Sequence, residues 1–144
     1  KWTYAIYPDD KSSELIDSQN IDKLNADEIA VLFNSLVTAI EKILNTSRES
    51  PNEQQKQKQK DQLLNLGHQF GVMLEQLKTS DKQDKKDLYN TYNDMYYGEG
   101  GAKENPNEGS LFYRITKFTD ENNPALKQLL TGKGTQYYYQ FQPE

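Results

Sequence analysis

The sequence predicts a mainly α fold: a three-helix bundle core, a short C-terminal helix and a small aromatic-rich β element. Two long stretches carry apolar residues at the three- and four-residue spacing of an amphipathic helix, which predicts the bundle. Aromatic residues recur at alternate positions near both ends, which predicts the β element. An all-α bundle is the alternative if residues 111–118 are helical. At 144 residues the chain has the size of one domain. The alternative division is a helical part, 1–97, and a small mixed α/β part, 110–144.

The first predicted element is a short strand within "KWTYAIYPDD". Its period-two spacing places Trp2, Tyr4 and Ile6 on one face. Pro8 ends the strand because proline has no backbone N–H to donate. We expect a loop over residues 9–24 before the first helix.

The first long helix begins at "NADE". Asn25 can accept a backbone hydrogen bond as N-cap, and Glu28 stands three positions later, as a capping box requires. We expect this helix to end near residues 45–47. Its core-facing residues recur at helical spacing and are Ile29, Leu32, Phe33, Leu36, Ile40, Ile43 and Leu44.

The second helix begins at "SPNE", with Ser50 as the cap, Pro51 as the first helical residue and Glu53 completing the capping box. The next stretch, "QQKQKQKDQ", contains no apolar residue and predicts an exposed helical extension or a frayed segment. The core-facing residues that follow are Leu63, Leu66, Phe70, Met73, Leu74 and Leu77.

Two glycines interrupt the second helix at a spacing of four, Gly67 and Gly71. Each glycine costs a helix about 1 kcal/mol relative to alanine. We therefore expect a neighbouring helix, most simply the first one, to approach closely at this face. A kinked helix is the alternative.

A third helix begins within residues 79–81 and ends at the glycine-rich stretch 98–101. Tyr89, Tyr92 and Tyr96 share one helical face, next to Tyr97, and such a stripe is typical of a core or its margin. The alternative is an aromatic contact surface, because tyrosine is enriched at interface hot spots. The partner-binding candidates are Tyr89, Tyr92, Tyr96, Tyr97 and, in the C-terminal strand, Tyr138.

Residues 111–118 fit both a helix and a strand, and their aromatic and β-branched content favours a strand. A short helix follows over 124–131, with Asn123 as its cap and Pro124 at its first position. A last strand begins at Thr135. Its apolar face consists of Tyr137, Tyr139 and Phe141. We expect this strand to pair with 111–118 and with the N-terminal strand, its apolar face lying on the helices.

Composition excludes several partners. The net charge is -5 and the pI is about 5.0, whereas nucleic acid binding requires a basic surface. No run approaches the 18 or so consecutive apolar residues of a transmembrane segment. The chain has no cysteine, hence no disulfide and no thiol chemistry. Together with abundant Gln, Asn and Tyr, this composition is typical of an extracytoplasmic bacterial protein.

No motif predicts catalysis, a cofactor or a metal. His68 is the only histidine, too few for a zinc site, and we interpret it as a helix-flank histidine. "TGKGT" lacks the spacing of a phosphate-binding loop. The aspartates at 81, 84 and 87 lack the alternating spacing and glycine turn of a calcium loop. We therefore expect a protein that is not an enzyme and that holds no cofactor.

Three functions fit these observations. The favoured one is a non-enzymatic interaction or structural module within a larger surface or secretion assembly. The second is an acidic inhibitor or immunity-type protein that binds a basic enzyme or toxin. The third is a glycan- or ligand-binding module that uses exposed tyrosines.

Overall fold

The computed structural model describes residues 2–6, 23–46, 52–102, 104–119, 124–132 and 137–141. For 2–6, 125–126 and 137–141 the description covers the backbone alone. The elements, in chain order, are β1 Trp2–Ile6, α1 Ala26–Thr46, α2 Glu53–Lys78, α3 Gln83–Tyr97, α4 Leu111–Phe118, α5 Pro124–Leu130 and β2 Tyr137–Phe141. The prediction of a mainly α bundle is confirmed.

Helix α2 is the central element, since every other helix and both strands contact it. Strands β1 and β2 pair antiparallel, with Trp2 opposite Phe141 and Ile6 opposite Tyr137. The predicted pairing of the last strand with residues 111–118 is therefore wrong. Of the predicted loop over residues 9–24, residues 9–22 lie outside the described part of the chain.

The capping box of α1 is confirmed. The backbone N–H of Glu28 donates to Asn25 Oδ1 at 2.9 Å, and the N–H of Asn25 donates to Glu28 Oε1 at 3.2 Å. For α2 the predicted cap was wrong, because Asn52 is the N-cap and its Oδ1 accepts from the N–H of Gln55 at 2.7 Å. Its carboxamide starts the helix at Glu53, which is the first helical residue and not the third.

Residues 111–118 form helix α4, so the predicted strand is wrong. Ser110 caps this helix, with its Oγ accepting from the N–H of Tyr113 at 3.2 Å. Leu111, Phe112 and Ile115 are buried on the inner face. Aromatic and β-branched content favours a strand locally, but this cap and the packing on the bundle select the helix.

The core is built around stacked and edge-on aromatic rings from four helices. Phe33 of α1 stacks on Tyr92 of α3 at 4.3 Å between ring centroids, and Phe70 of α2 stacks on Tyr96 at 4.5 Å. Phe112 of α4 meets Tyr96 edge-on at 5.6 Å. Offset and edge-on pairs of this kind add about 0.5–1.5 kcal/mol each beyond the area that they bury.

A close approach occurs at Gly71, as predicted, but the neighbour is α5 and its following turn rather than α1. A Cβ on Gly71 would lie 2.5 Å from the carbonyl oxygen of Leu130 and 2.6 Å from the nitrogen of Gly132. Gly132 has a φ of 79°, a left-handed conformation that turns the chain away from α5. Helix α2 is continuous across both of its glycines.

Helix α3 begins at Gln83, later than the 79–81 predicted, and its N-cap Lys82 makes no side-chain capping bond. The helix ends before Gly98, whose φ of 90° is left-handed. Met95 of this helix is 44% exposed.

Candidate functional site

Three of the five candidate tyrosines belong to the core. Tyr92, Tyr96 and Tyr97 are at most 5% exposed, because α3 turns this face onto the aromatic cluster. Their rings are not available to a partner of the folded chain. Tyr89 is half-buried, and the side chain of Tyr138 lies outside the described residues.

The hydroxyl of Tyr96 joins three helices. It lies 2.6 Å from the carbonyl oxygen of Leu130 in α5 and 2.9 Å from that of Gly67 in α2, and its one proton serves these two acceptors. Burial raises the pKa of Tyr96 well above its ordinary value. The group therefore stays a neutral donor and has a structural role.

His68 lies inside the molecule at 1% exposure, so its interpretation as a helix-flank residue was wrong. The helical position between two glycines brings the ring under α5, where Nδ1 lies 2.7 Å from the carbonyl oxygen of Leu129. A carbonyl can only accept, so Nδ1 carries the proton. Burial lowers the pKa of His68, which keeps the imidazole neutral near pH 7.

The carboxylates of Asp84 and Asp87 accept hydrogen bonds within the first turns of α3. Asp84 Oδ1 accepts from the N–H of Lys85 at 2.8 Å, and Asp87 Oδ1 accepts from Gln83 Nε2 at 3.0 Å. Acidic groups near a helix N-terminus are stabilising because of the helix dipole. Within the described residues there is no group of three or more His, Cys, Asp or Glu that could hold a metal ion.

A groove of about 550 Å³ separates the C-terminal half of α1 from the N-terminal half of α2. We call this feature the α1–α2 groove. Its aliphatic lining consists of Ala39, Ile43 and Leu66, and its polar lining of Lys42, Thr46, Gln59, Gln62 and Asn65. Among the residues that the structure describes, the lining therefore holds one cation, three carboxamides and a hydroxyl, and no carboxylate.

The sequence marked Ile43 and Leu66 as core residues, but the structure leaves both half-buried in the α1–α2 groove. Their positions on the helical stripes are consistent with either outcome, because periodicity gives a face and not its partner. One sequence feature did indicate the groove. The stretch of α2 before Leu63 has no apolar residue with which to close against α1.

A second, smaller cleft of about 160 Å³ lies between α2, α3 and the loop after α3. Tyr89 contributes to its lining together with Glu75, Lys78 and Glu104. Its volume is below the roughly 300–1,000 Å³ of ordinary ligand pockets. The cleft therefore adds no support for a glycan site at Tyr89.

Asp61 is a buried carboxyl that the sequence placed in an exposed stretch. It is 1% exposed, and its Oδ1 accepts from Gln57 Nε2 at 2.9 Å. Burial raises its pKa to about 6, against the lowering effects of this hydrogen bond and of Lys60. One signal was present in the sequence, since Asp61 shares a helical stripe with Leu64 and His68.

Comparison with protein-family models, with curated proteins and with solved structures found no match to this chain. Among the described residues, α1 is the one helix long and apolar enough, by length and composition, to cross a membrane. A signal sequence or the core helix of a folded protein passes the same test. Here Ile29, Phe33 and Ile40 of α1 are fully buried in the bundle.

Proposed function

We propose that this protein is a non-enzymatic interaction module that acts outside the cytoplasm as part of a larger surface or secretion assembly. We further propose that the α1–α2 groove receives an acidic, amphipathic segment of a partner protein. The α1–α2 groove is the observation that carries the proposal. The extracytoplasmic assignment rests on composition.

The occupant follows from the chemistry of the lining. Ile43 and Leu66 offer aliphatic surface to apolar side chains, as in complexes where an amphipathic helix enters a hydrophobic groove. Lys42 is the one charged residue in the described part of the lining, in a chain whose net charge is -5. A segment with apolar residues on one face and carboxylates beside them complements both features, and the carboxamides can pair with its remaining polar groups.

Peptide selection tests this proposal directly. A phage-displayed library of random 16-residue peptides is selected on the purified protein, and the enriched peptides are measured by calorimetry. We expect acidic amphipathic sequences. The variants Lys42→Glu, which reverses the charge, and Ala39→Trp, which fills the groove, weaken their binding at least tenfold.

Lys86→Glu is the matched control, since Lys86 is an exposed lysine on α3, away from the α1–α2 groove. This variant keeps the affinity of the original chain. Circular dichroism verifies that each variant is folded. A selection without enriched peptides, or peptides whose affinity is the same for Lys42→Glu and Lys86→Glu, would refute the docking site.

A further inference from the structure

Asp61 stands at the boundary between two parts of α2. On its N-terminal side, residues 53–60 are exposed or half-buried, and none of them is apolar. On its C-terminal side the core-facing stripe begins at Leu63, which is fully buried. Asp61 is therefore the first buried residue of the helix, and it is the point at which an exposed extension joins the core.

The carboxyl group of Asp61 is poorly compensated where it lies. Gln57 satisfies Oδ1, whereas Oδ2 is buried without a hydrogen-bond partner in the described part of the chain. Among the described residues, Lys60 is the charged group whose field reaches it. An ionised carboxylate with one unsatisfied oxygen is costly to bury, and a protonated carboxyl is much less so.

We propose that the first turns of α2, Glu53–Asp61, form a pH-operated switch. The segment is helical and docked while Asp61 carries a proton, and it unwinds from its N-terminal end when the carboxyl ionises and moves into water. The segment includes Gln59 of the α1–α2 groove, so unwinding would remove part of one wall. The switch does not depend on whether that groove binds a partner.

A switch requires that the tendency of Glu53–Asp61 to stay helical and the cost of burying an ionised Asp61 be of similar size, and they are. Propagation of an exposed helix contributes a factor of about 1–1.6 per residue, hence roughly 1 to 70 over nine residues. The pKa of Asp61 rises from 3.8 to about 6 on burial, which corresponds to a factor of roughly one hundred against the docked form once the group is fully ionised. Unwinding exposes no buried apolar side chain between Glu53 and Lys60.

Amide hydrogen exchange measured by NMR between pH 4 and pH 7.5 tests the switch. After division by the intrinsic exchange rates, the exchange of amides 57–61 gives the opening constant of the segment. We expect this constant to rise roughly fiftyfold from pH 4 to pH 7, while the corresponding constants for amides 70–77 change less.

Three variants separate the switch from general effects. Asp61→Asn removes the titration and makes the opening constant of 57–61 independent of pH. Gln57→Met removes the hydrogen bond that favours the ionised form, and the midpoint moves to higher pH. Asp94→Asn changes an exposed aspartate of α3 and leaves the original titration unchanged.

A pH dependence that survives Asp61→Asn would overturn the proposal. An equal rise in the opening constants of 57–61 and 70–77 would also overturn it, because the carboxyl would then act on the whole fold.

Discussion

Gly71→Ala sets two physical effects against each other, and the structure decides the sign. Alanine is favoured over glycine in a helix interior by about 1 kcal/mol, so a free helix would be stabilised. At Gly71, however, the new Cβ meets three backbone atoms at the end of α5 and in the turn that follows it. They lie at 2.5 Å, 2.6 Å and 2.7 Å and belong to Leu130, Gly132 and Thr131.

Backbone atoms cannot rotate away, so α5 must move by about 1 Å to restore ordinary contact distances. That shift disturbs two features at once. Leu130 is fully buried, a state worth about 1.5–3 kcal/mol, and its carbonyl accepts the Tyr96 hydrogen bond, worth about 1 kcal/mol. Partial loss of both outweighs the gain in helix propensity. We expect a net destabilisation of about 2 kcal/mol and a Tm lower by roughly 4–8 °C.

Urea unfolding followed by circular dichroism measures the free energy of unfolding, with two other glycine variants as controls. Gly109→Ala places its Cβ in open space and stays within about 0.5 kcal/mol of the original chain. Gly67→Ala meets the end of the Leu130 side chain, which can rotate, and has an intermediate effect. A Gly71→Ala protein that is more stable than the original would refute the close packing of α2 and α5.

Three further predictions concern single side chains. Tyr96→Phe removes the hydroxyl that donates to two buried carbonyls and lowers the free energy of unfolding by about 1–2 kcal/mol. Tyr89→Phe, at a half-buried position, changes the free energy of unfolding by less than about 0.5 kcal/mol. Equal effects of the two substitutions would contradict the role of the buried hydroxyl. Asn52→Ala removes the cap of α2 and lowers the free energy of unfolding by about 1 kcal/mol in the same assay below pH 6, where Asp61 is protonated and the first turns of α2 are docked; an unchanged free energy at that pH would contradict the role of the cap. Because burial lowers the pKa of His68, its neutral form favours folding above the unfolded pKa of 6.5, and this stability is lost as the pH falls below that value. Urea titrations from pH 8 to pH 5 should show this loss in the original chain and a smaller one in His68→Gln; identical profiles would contradict the burial of the imidazole.

Part of the fold and little of the candidate site could be predicted from the sequence. The capping box of Asn25 and Glu28 was predictable because its hydrogen bonds join residues three apart. Gly67 and Gly71 indicated a close approach, but the sequence could not show which helix approaches. For residues 111–118 the aromatic and β-branched content favoured a strand, but the Ser110 cap and the packing on the bundle decided for a helix.

The site depends on relations between helices. Asp61, a residue type that is usually exposed, is buried, whereas Ile43, a residue type that is usually buried, is half-exposed in the α1–α2 groove. A sequence pattern assigns a residue to a helical face, but the exposure of that face depends on what packs against it. The same limit applied to the tyrosines of α3, whose spacing favoured a core but left a contact surface as the alternative.

The sequence by itself determined where the long helices lie, which faces are apolar and which class of fold results, because these follow from interactions within a few residues of the chain. Tertiary structure alone decided the partner of Gly71, the depth of His68 and Asp61, and the opening of the groove between α1 and α2. Those outcomes depend on side chains tens of residues apart, whose contacts form only when the helices pack.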